Sequence, residues 1–332
     1  MGKKAAPKDL NTLVEEWTSS SESNQHLGTI RDLIRFLTVE VYEQYKPHGD
    51  KLPMWDRLTR WIANVSSERD QQTLVEMVVW LLFVGSDEMD SMYRAALHGP
   101  ITRWLIDQAG LDITSPDLPL QLKAEVKRTF FGSMAGANVD DFVRINGIGG
   151  QSMRPNFRLL AKVGAIKKLQ SQLKQGNYKR IVAIEDIVGT GSQMWEAAEF
   201  LVKVTSKPVL LCPLLIAPAG VELWKNDIQT LGKNLFFEPL NVIPKNAMVP
   251  MLKRSRTEPE LLIRLRNLVT KTWPKVQGSN PNPALYSNNG FGCGELGLLV
   301  LTFLNCPDNA LPLIHNDSDQ WDSLFPRTSR EA

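Results

Sequence analysis

Two adjacent carboxylates, Glu185 and Asp186, follow an apolar run and precede a glycine-rich turn. The segment reads Ile181-Val182-Ala183-Ile184-Glu185-Asp186-Ile187-Val188-Gly189-Thr190-Gly191-Ser192-Gln193. Paired carboxylates can accept hydrogen bonds from a vicinal diol, such as the 2- and 3-hydroxyls of ribose, and bonds to ionised acceptors are the stronger class. Gly189 and Gly191 allow successive backbone N–H groups to converge on an anion. A helix starting near Gln193 would aim its positive end at the same spot. A diol beside a phosphate describes ribose 5-phosphate. On this reading Glu185 and Asp186 are candidate catalytic residues, and Gly189, Thr190, Gly191, Ser192 and Gln193 are candidate substrate binders. The plain alternative is a strand–turn–helix with two acids on its rim. Either way both acids are expected on the sheet rim, where substitutions usually cost under ~0.5 kcal/mol.

The elements around this segment must hold it at a sheet edge. Runs rich in β-branched and aliphatic residues at 142–145, 181–184, 209–216, 235–237 and 298–304 predict strands. Helical spacing predicts helices over 157–173, 193–204, 221–231 and 258–272 between or after them. Continuous apolar strands separated by helices imply an α/β fold with a Rossmann-like, mostly parallel sheet. Ligands in such sheets sit at the carboxyl ends of the strands. Before residue 140 the pattern is helical, as in Ile30, Leu33, Ile34, Leu37 and Val41, and no strand run is expected there. The expected domains are an α-helical module over 1–135 and an α/β domain over 136–332. The stretch 273–290 reads as a long Pro-, Asn- and Ser-rich connection, either mobile or functional.

A second glycine-rich stretch, Asn146-Gly147-Ile148-Gly149-Gly150-Gln151-Ser152, follows the 142–145 run. Residues 142–184 hold nine basic side chains and no acid, and residues 245–275 hold eight against Glu258 and Glu260. Charge of one sign attracts polyphosphate or nucleic acid, or else forms a solvated face. The whole chain is nearly balanced, at +2 over 332 residues, which argues neither for nor against nucleic acid. Cys212, Cys293 and Cys306 fit no disulfide framework and no paired zinc knuckle. With Cys293 and Cys306, His315 could suggest a metal site or nucleophile, but the spacing fits no ligand pattern and packed thiols are the commoner outcome. Trp55, Trp61, Trp80 and Trp104 fall at apolar helical positions and are expected as core or interface anchors. The longest apolar run, 77–84, is too short for a membrane span, and no signal peptide is evident. A cytoplasmic protein is expected.

The thirteen-residue segment resembles the signature of type I phosphoribosyltransferases, with Gly189 and Gln193 departing from the usual residue types. In that family the loop after the first strand holds pyrophosphate. The resemblance implies Gly149, Gly150 and Ser152 in this role, with Arg154 as a counter-charge. A usual member also carries a flexible catalytic hairpin before the acid pair; only about thirty residues are available here, and a helix is expected to fill them. The C-terminal stretch Gly290-Phe291-Gly292-Cys293-Gly294, then Asn305-Cys306-Pro307-Asp308 through His315, and Leu324-Phe325-Pro326-Arg327, resembles the phosphoribosyltransferase-like family of bacterial conflict systems, the PRTase-CE group. That family's Gly-Thr-Gly loop accommodates Gly189. The resemblance implies an anti-phage effector or toxin, as found beside retron reverse transcriptases. It implies binding of phosphoribosyl pyrophosphate or a nucleotide, Mg²⁺ on the pyrophosphate, and pentosyl transfer or nucleotide cleavage. Implied partners are a reverse transcriptase with its RNA–DNA product and a small DNA-binding protein. A non-catalytic nucleotide sensor or an assembly subunit is the alternative. The C-terminal stretch is expected to fold onto the sheet as a substitute lid.

Overall fold

The computed structural model describes residues 7–47, 52–252, 256–279 and 289–328. Its strands are, in chain order, β1 (Leu82–Val84), β2 (Thr129–Ser133), β3 (Arg180–Val188), β4 (Val209–Ile216), β5 (Leu235–Phe237), β6 (Asn241–Val242) and β7 (Val300–Thr302). Contacts divide the chain into two compact units, one of 1–86 with 245–332 and one of 87–244. The boundary expected at 135/136 therefore falls inside the second unit. The reason is β2, which pairs in parallel register with β3 from Thr129↔Arg180 to Ser133↔Ile184.

The second unit is built on the parallel sheet β2-β3-β4-β5, with β6 also pairing β4. β4 is buried along its whole length and β3 nearly so, as expected of central strands covered on both faces. The helices Ser192–Val204 and Pro218–Leu231 follow β3 and β4 as crossovers. Their Met194, Ala197, Ala198, Leu201, Trp224 and Ile228 pack with Ile181, Ala183, Val209 and Leu211 in one apolar cluster. The stretch expected as one helix over 157–173 is two, Phe157–Lys162 and Ile166–Gln175, broken at Gly164, whose φ is +62°.

Three strand expectations are corrected. The run 142–145 is the end of a helix, Val139–Ile145; the Asn138 side chain accepts the Asp141 N–H, and Asp140 and Asp141 sit in the first turn where the helix dipole favours them. Two strands precede residue 140: β1, and β2 in the segment Thr-Phe-Phe-Gly-Ser that the helical pattern had absorbed. The run 298–304 contributes β7, which pairs in parallel with β1 and lies outside the main sheet.

The first unit is mainly helical, with Leu10–Ser20, His26–Phe36, Met54–Ile62, Glu68–Val78 and Glu260–Gln277 as its longer helices. The last of these runs into the stretch expected as an irregular connection; positions 280–288 of that stretch lie outside the described residues. Buried tryptophans anchor the core through their ring N–H groups: Trp61 and Trp321 both donate to the Leu313 carbonyl, at 2.7 and 2.9 Å. Trp104, in the second unit, is also buried, while Trp55 and Trp80 are half-buried. No described helix is long and apolar enough to cross a membrane.

Candidate functional site

β3 outruns β2. Pairing with β2 ends at Ser133↔Ile184, and β3 continues beside β4 to Val188↔Ile216. Glu185 and Asp186 are the first residues past the end of β2, still inside the strand. Consecutive strand residues project to opposite faces, so the pair is split between two environments.

Glu185 is 7% exposed. Its Oε2 accepts the backbone N–H groups of Ala135 at 2.6 Å and Gly136 at 3.0 Å, in the loop that leaves β2. The Ser133 hydroxyl lies 3.5 Å from the same oxygen. That loop is pinned from its other side: Ser133 N–H donates to the Pro155 carbonyl and the Asn156 side chain donates to the Ala135 carbonyl. Asp186 is 5% exposed, and its Oδ1 accepts the Tyr93 hydroxyl at 3.1 Å. Tyr93 belongs to the helix Ser86–Ala96, packs edge-on against Phe142, and its carbonyl accepts from Asn146. Burial, and then the Asp186 carboxylate, raise the Tyr93 hydroxyl far above its ordinary pKa, so it stays a donor at any physiological pH. The rim placement expected for the acids is thus overturned. The strand does not turn until Gly189, three residues after Asp186, and neighbouring segments cover both carboxylates.

Residues 189–191 form the bend, and Gly191, with φ +88° and ψ −2°, is the N-cap of the helix Ser192–Val204. A residue at that φ is strained unless it is glycine. The Thr190 and Ser192 hydroxyls lie 3.2 Å apart, and Ser192 and Gln193 are exposed in the first turn. The order strand, acid pair, bend, helix N-terminus is therefore present, with the helix's free N–H groups at the bend. Under the bend, the Gly189 carbonyl comes so close to Gly220 that a Cβ there would meet it at 2.6 Å.

The second glycine-rich loop does not lie at the carboxyl end of β2. Gln151 bonds through its side chain to the N–H and carbonyl of Phe131, in the middle of that strand. Gly149, Gly150 and Ser152 are exposed, and Arg154 pairs with Asp140 at 2.7 Å. The loop that does follow the first sheet strand is 134–137, and its Ala135 and Gly136 amides were missed because β2 was missed. The readable signal was a small-residue loop, Met134-Ala135-Gly136-Ala137, after a short apolar run. Tyr93 carried no local signal, since it sits on an ordinary amphipathic helix.

Between β2 and β3 the chain forms three helices and, among its described residues, no hairpin. Of the nine basic residues at 142–184, four are ion-paired: Arg144 with Asp141, Arg154 with Asp140, Arg158 with Glu196, and buried Arg180 with Glu125. Lys162, Lys167, Lys168, Lys174 and Lys179 are exposed. In the 245–275 segment, Arg264, Arg266 and Lys271 pair with Glu76, Glu258 and Asp70, while Lys253 and Arg254 lie outside the described residues.

The C-terminal glycines serve packing in the first unit. A Cβ at Gly292, whose φ is +73°, would strike the Asn309 and Ala310 backbone. The Cys293 N–H bonds to the Asp308 carbonyl at 2.8 Å, and Leu298 N–H to that of Asn309 at 2.9 Å. This stretch is tied to itself and to β7. Cys306 is buried and Cys293 exposed. Among the described residues no group of three His, Cys, Asp or Glu side chains gathers to hold a metal ion.

No curated protein and no solved structure matches the chain. The family model that matches is PRTase-CE, over residues 58–327, which takes in the acid pair, the bend and the C-terminal stretch alike. The chain therefore belongs to the PRTase-CE family and is phosphoribosyltransferase-like.

Proposed function

We propose that the chain binds a ribose 5-phosphate group, as phosphoribosyl pyrophosphate or a nucleotide, at the carboxyl end of β3 and acts at the ribose anomeric carbon. The observation that carries this reading is the unbroken sequence of Glu185 and Asp186 in β3, the bend at 189–191 and the helix Ser192–Val204. The bend and helix start supply donors for the phosphate. The acid pair supplies acceptors for the sugar hydroxyls, and negative charge near a ring whose transition state is oxocarbenium-like. Ligand would compete with the Tyr93 hydroxyl for Asp186 and with the Ala135 and Gly136 amides for Glu185. Mg²⁺ would arrive on pyrophosphate oxygens, which suits a cation that keeps few protein ligands. The family resemblance supports a cytoplasmic role as an anti-phage effector, with a reverse transcriptase and its RNA–DNA product as partner and the exposed lysines at 162–179 as the contact face.

The test is incubation of the full chain with phosphoribosyl pyrophosphate or nucleotides and Mg²⁺, with release of pyrophosphate or free base followed chromatographically. Turnover that is lost in Asp186→Asn supports the enzyme. The three helices in place of a hairpin favour a second reading, a sensor that binds and does not turn over. Binding without product would select it.

A further inference from the structure

The Trp224 ring N–H is a buried donor beside the bend. The side chain is 0% exposed, in the helix Pro218–Leu231, and is wedged between Trp195 and Phe237, with ring centroids 5.3 and 6.0 Å away. Its Nε1 has no hydrogen-bond partner among the described residues. The nearest atom to a Cβ built on Gly191 is this nitrogen, at 2.8 Å, so the ring nitrogen lies against the bend at the space that glycine leaves open. Leaving a donor unsatisfied in a core is costly, and native proteins keep few such groups. Replacement by phenylalanine would keep the ring and remove the cost, so the N–H requires a reason.

Peptide geometry supplies one. In a trans peptide the N–H and C=O point in opposite directions. A bend that turns its N–H groups outward to an anion therefore turns the carbonyls of the same peptides inward. The Gly189 carbonyl already faces inward, against Gly220, and the Gly191 carbonyl is taken by the Trp195 N–H at 2.9 Å. Among the described residues no hydrogen bond ends on the Thr190 carbonyl. Gly191 has the backbone angles of the third residue of a type II turn, where glycine tolerates either orientation of the preceding peptide. We propose that Trp224 is a positioning residue of the phosphate bend: when the Thr190–Gly191 peptide turns its N–H to a bound phosphate, its carbonyl accepts the Trp224 ring N–H. The inference rests on the phosphate-binding reading of the bend.

The full chain, labelled with ¹⁵N at tryptophan, is titrated with phosphoribosyl pyrophosphate and Mg²⁺ and, separately, with inorganic phosphate. The Trp224 ring resonance is identified by its loss in Trp224→Phe. We expect it to move downfield with occupancy in the unmodified chain. Trp224→Phe should bind at least about tenfold more weakly, the factor for a loss of ~1.4 kcal/mol, while its melting temperature stays level or rises because an orphaned donor is gone. A merely structural tryptophan would give the reverse pattern, a lower melting temperature with unchanged affinity. If the unmodified chain binds and the resonance stays fixed, or if Trp224→Phe binds as tightly as the parent, the role of Trp224 is refuted and the phosphate site stands. If the unmodified chain binds neither ligand, the phosphate-binding reading falls and this inference falls with it.

Discussion

Replacing Glu185 separates a carboxylate built into the fold from one resting on a sheet rim. In Glu185→Ala the Ala135 and Gly136 amides lose the oxygen they share at 2.6 and 3.0 Å. Both amides are only partly buried, so water recovers some of the loss, and the lower end of the usual ~1–3 kcal/mol per orphaned group applies. Two such groups give a destabilisation of about 2 kcal/mol. In a unit of roughly 150 residues each kcal/mol moves the melting temperature by about 2–4 °C, so a fall of about 4–8 °C is expected. Glu185→Gln keeps an oxygen in place and forfeits only the charge-assisted part, about 1 kcal/mol, hence a fall of about 2–4 °C. Thermal unfolding of the parent and both variants, followed by circular dichroism at one pH and salt concentration, gives the comparison. If Glu185→Ala melted within about 1 °C of the parent, the carboxylate would contribute nothing to holding the 134–137 loop, and the argument from burial would be wrong.

Three further outcomes follow from particular contacts. Tyr93→Phe removes a hydroxyl that competes with ligand for Asp186, so phosphoribosyl pyrophosphate should bind up to about tenfold more tightly, ~1.4 kcal/mol and so just under the ~1.5–3 kcal/mol of a whole hydrogen bond to a charged group; calorimetry reads this, and weaker binding would make Tyr93 part of the binding surface instead. Burial, and then the Arg327 guanidinium, hold His315 neutral down to about 3 in the fold against 6.5 when unfolded, so protons bind the unfolded chain preferentially between those values. Stability that is complete above pH 6.5 should therefore decline toward pH 3, and His315→Gln should show a shallower decline in melting temperature over that window; parallel curves would contradict it. Lys167, Lys168 and Lys174 changed together to Glu should weaken binding to an RNA–DNA duplex and flatten its dependence on salt, and identical salt slopes would remove that face from consideration.

What the sequence made legible follows from how local each signal is. The order of residues 181–193 places a strand, two acids, a bend and a helix start using neighbours alone, and the structure has them in that order. Burial of the acids depends on partners 50 and 93 positions away, Ala135 and Tyr93, and no local pattern encodes such partners. β2 was hidden because its five residues come one residue after the helix Leu118–Lys127 and extend that helix's run without a breaker. Its loss displaced the loop at the carboxyl end of the first strand onto Gly149 and Gly150. The run 142–145 shows the converse: four apolar-biased residues suit strand or helix, and the Asn138 cap with two acids behind it decides for helix. The division into units was unreadable for another reason. β1 pairs with β7 across more than 200 residues of chain, so the helical beginning and the C-terminal stretch belong to one unit although the second unit lies between them in sequence.

The central claim is that Glu185, Asp186 and the bend at 189–193 form one ribose-phosphate site. The most direct test is calorimetric titration of the full chain with phosphoribosyl pyrophosphate and Mg²⁺, beside the double variant Glu185→Gln with Asp186→Asn, which preserves shape at both buried positions. Saturable binding by the parent is expected, with affinity at least about tenfold lower in the variant, equivalent to ~1.4 kcal/mol. Equal affinity in the two proteins, or no binding by a folded parent, would contradict it.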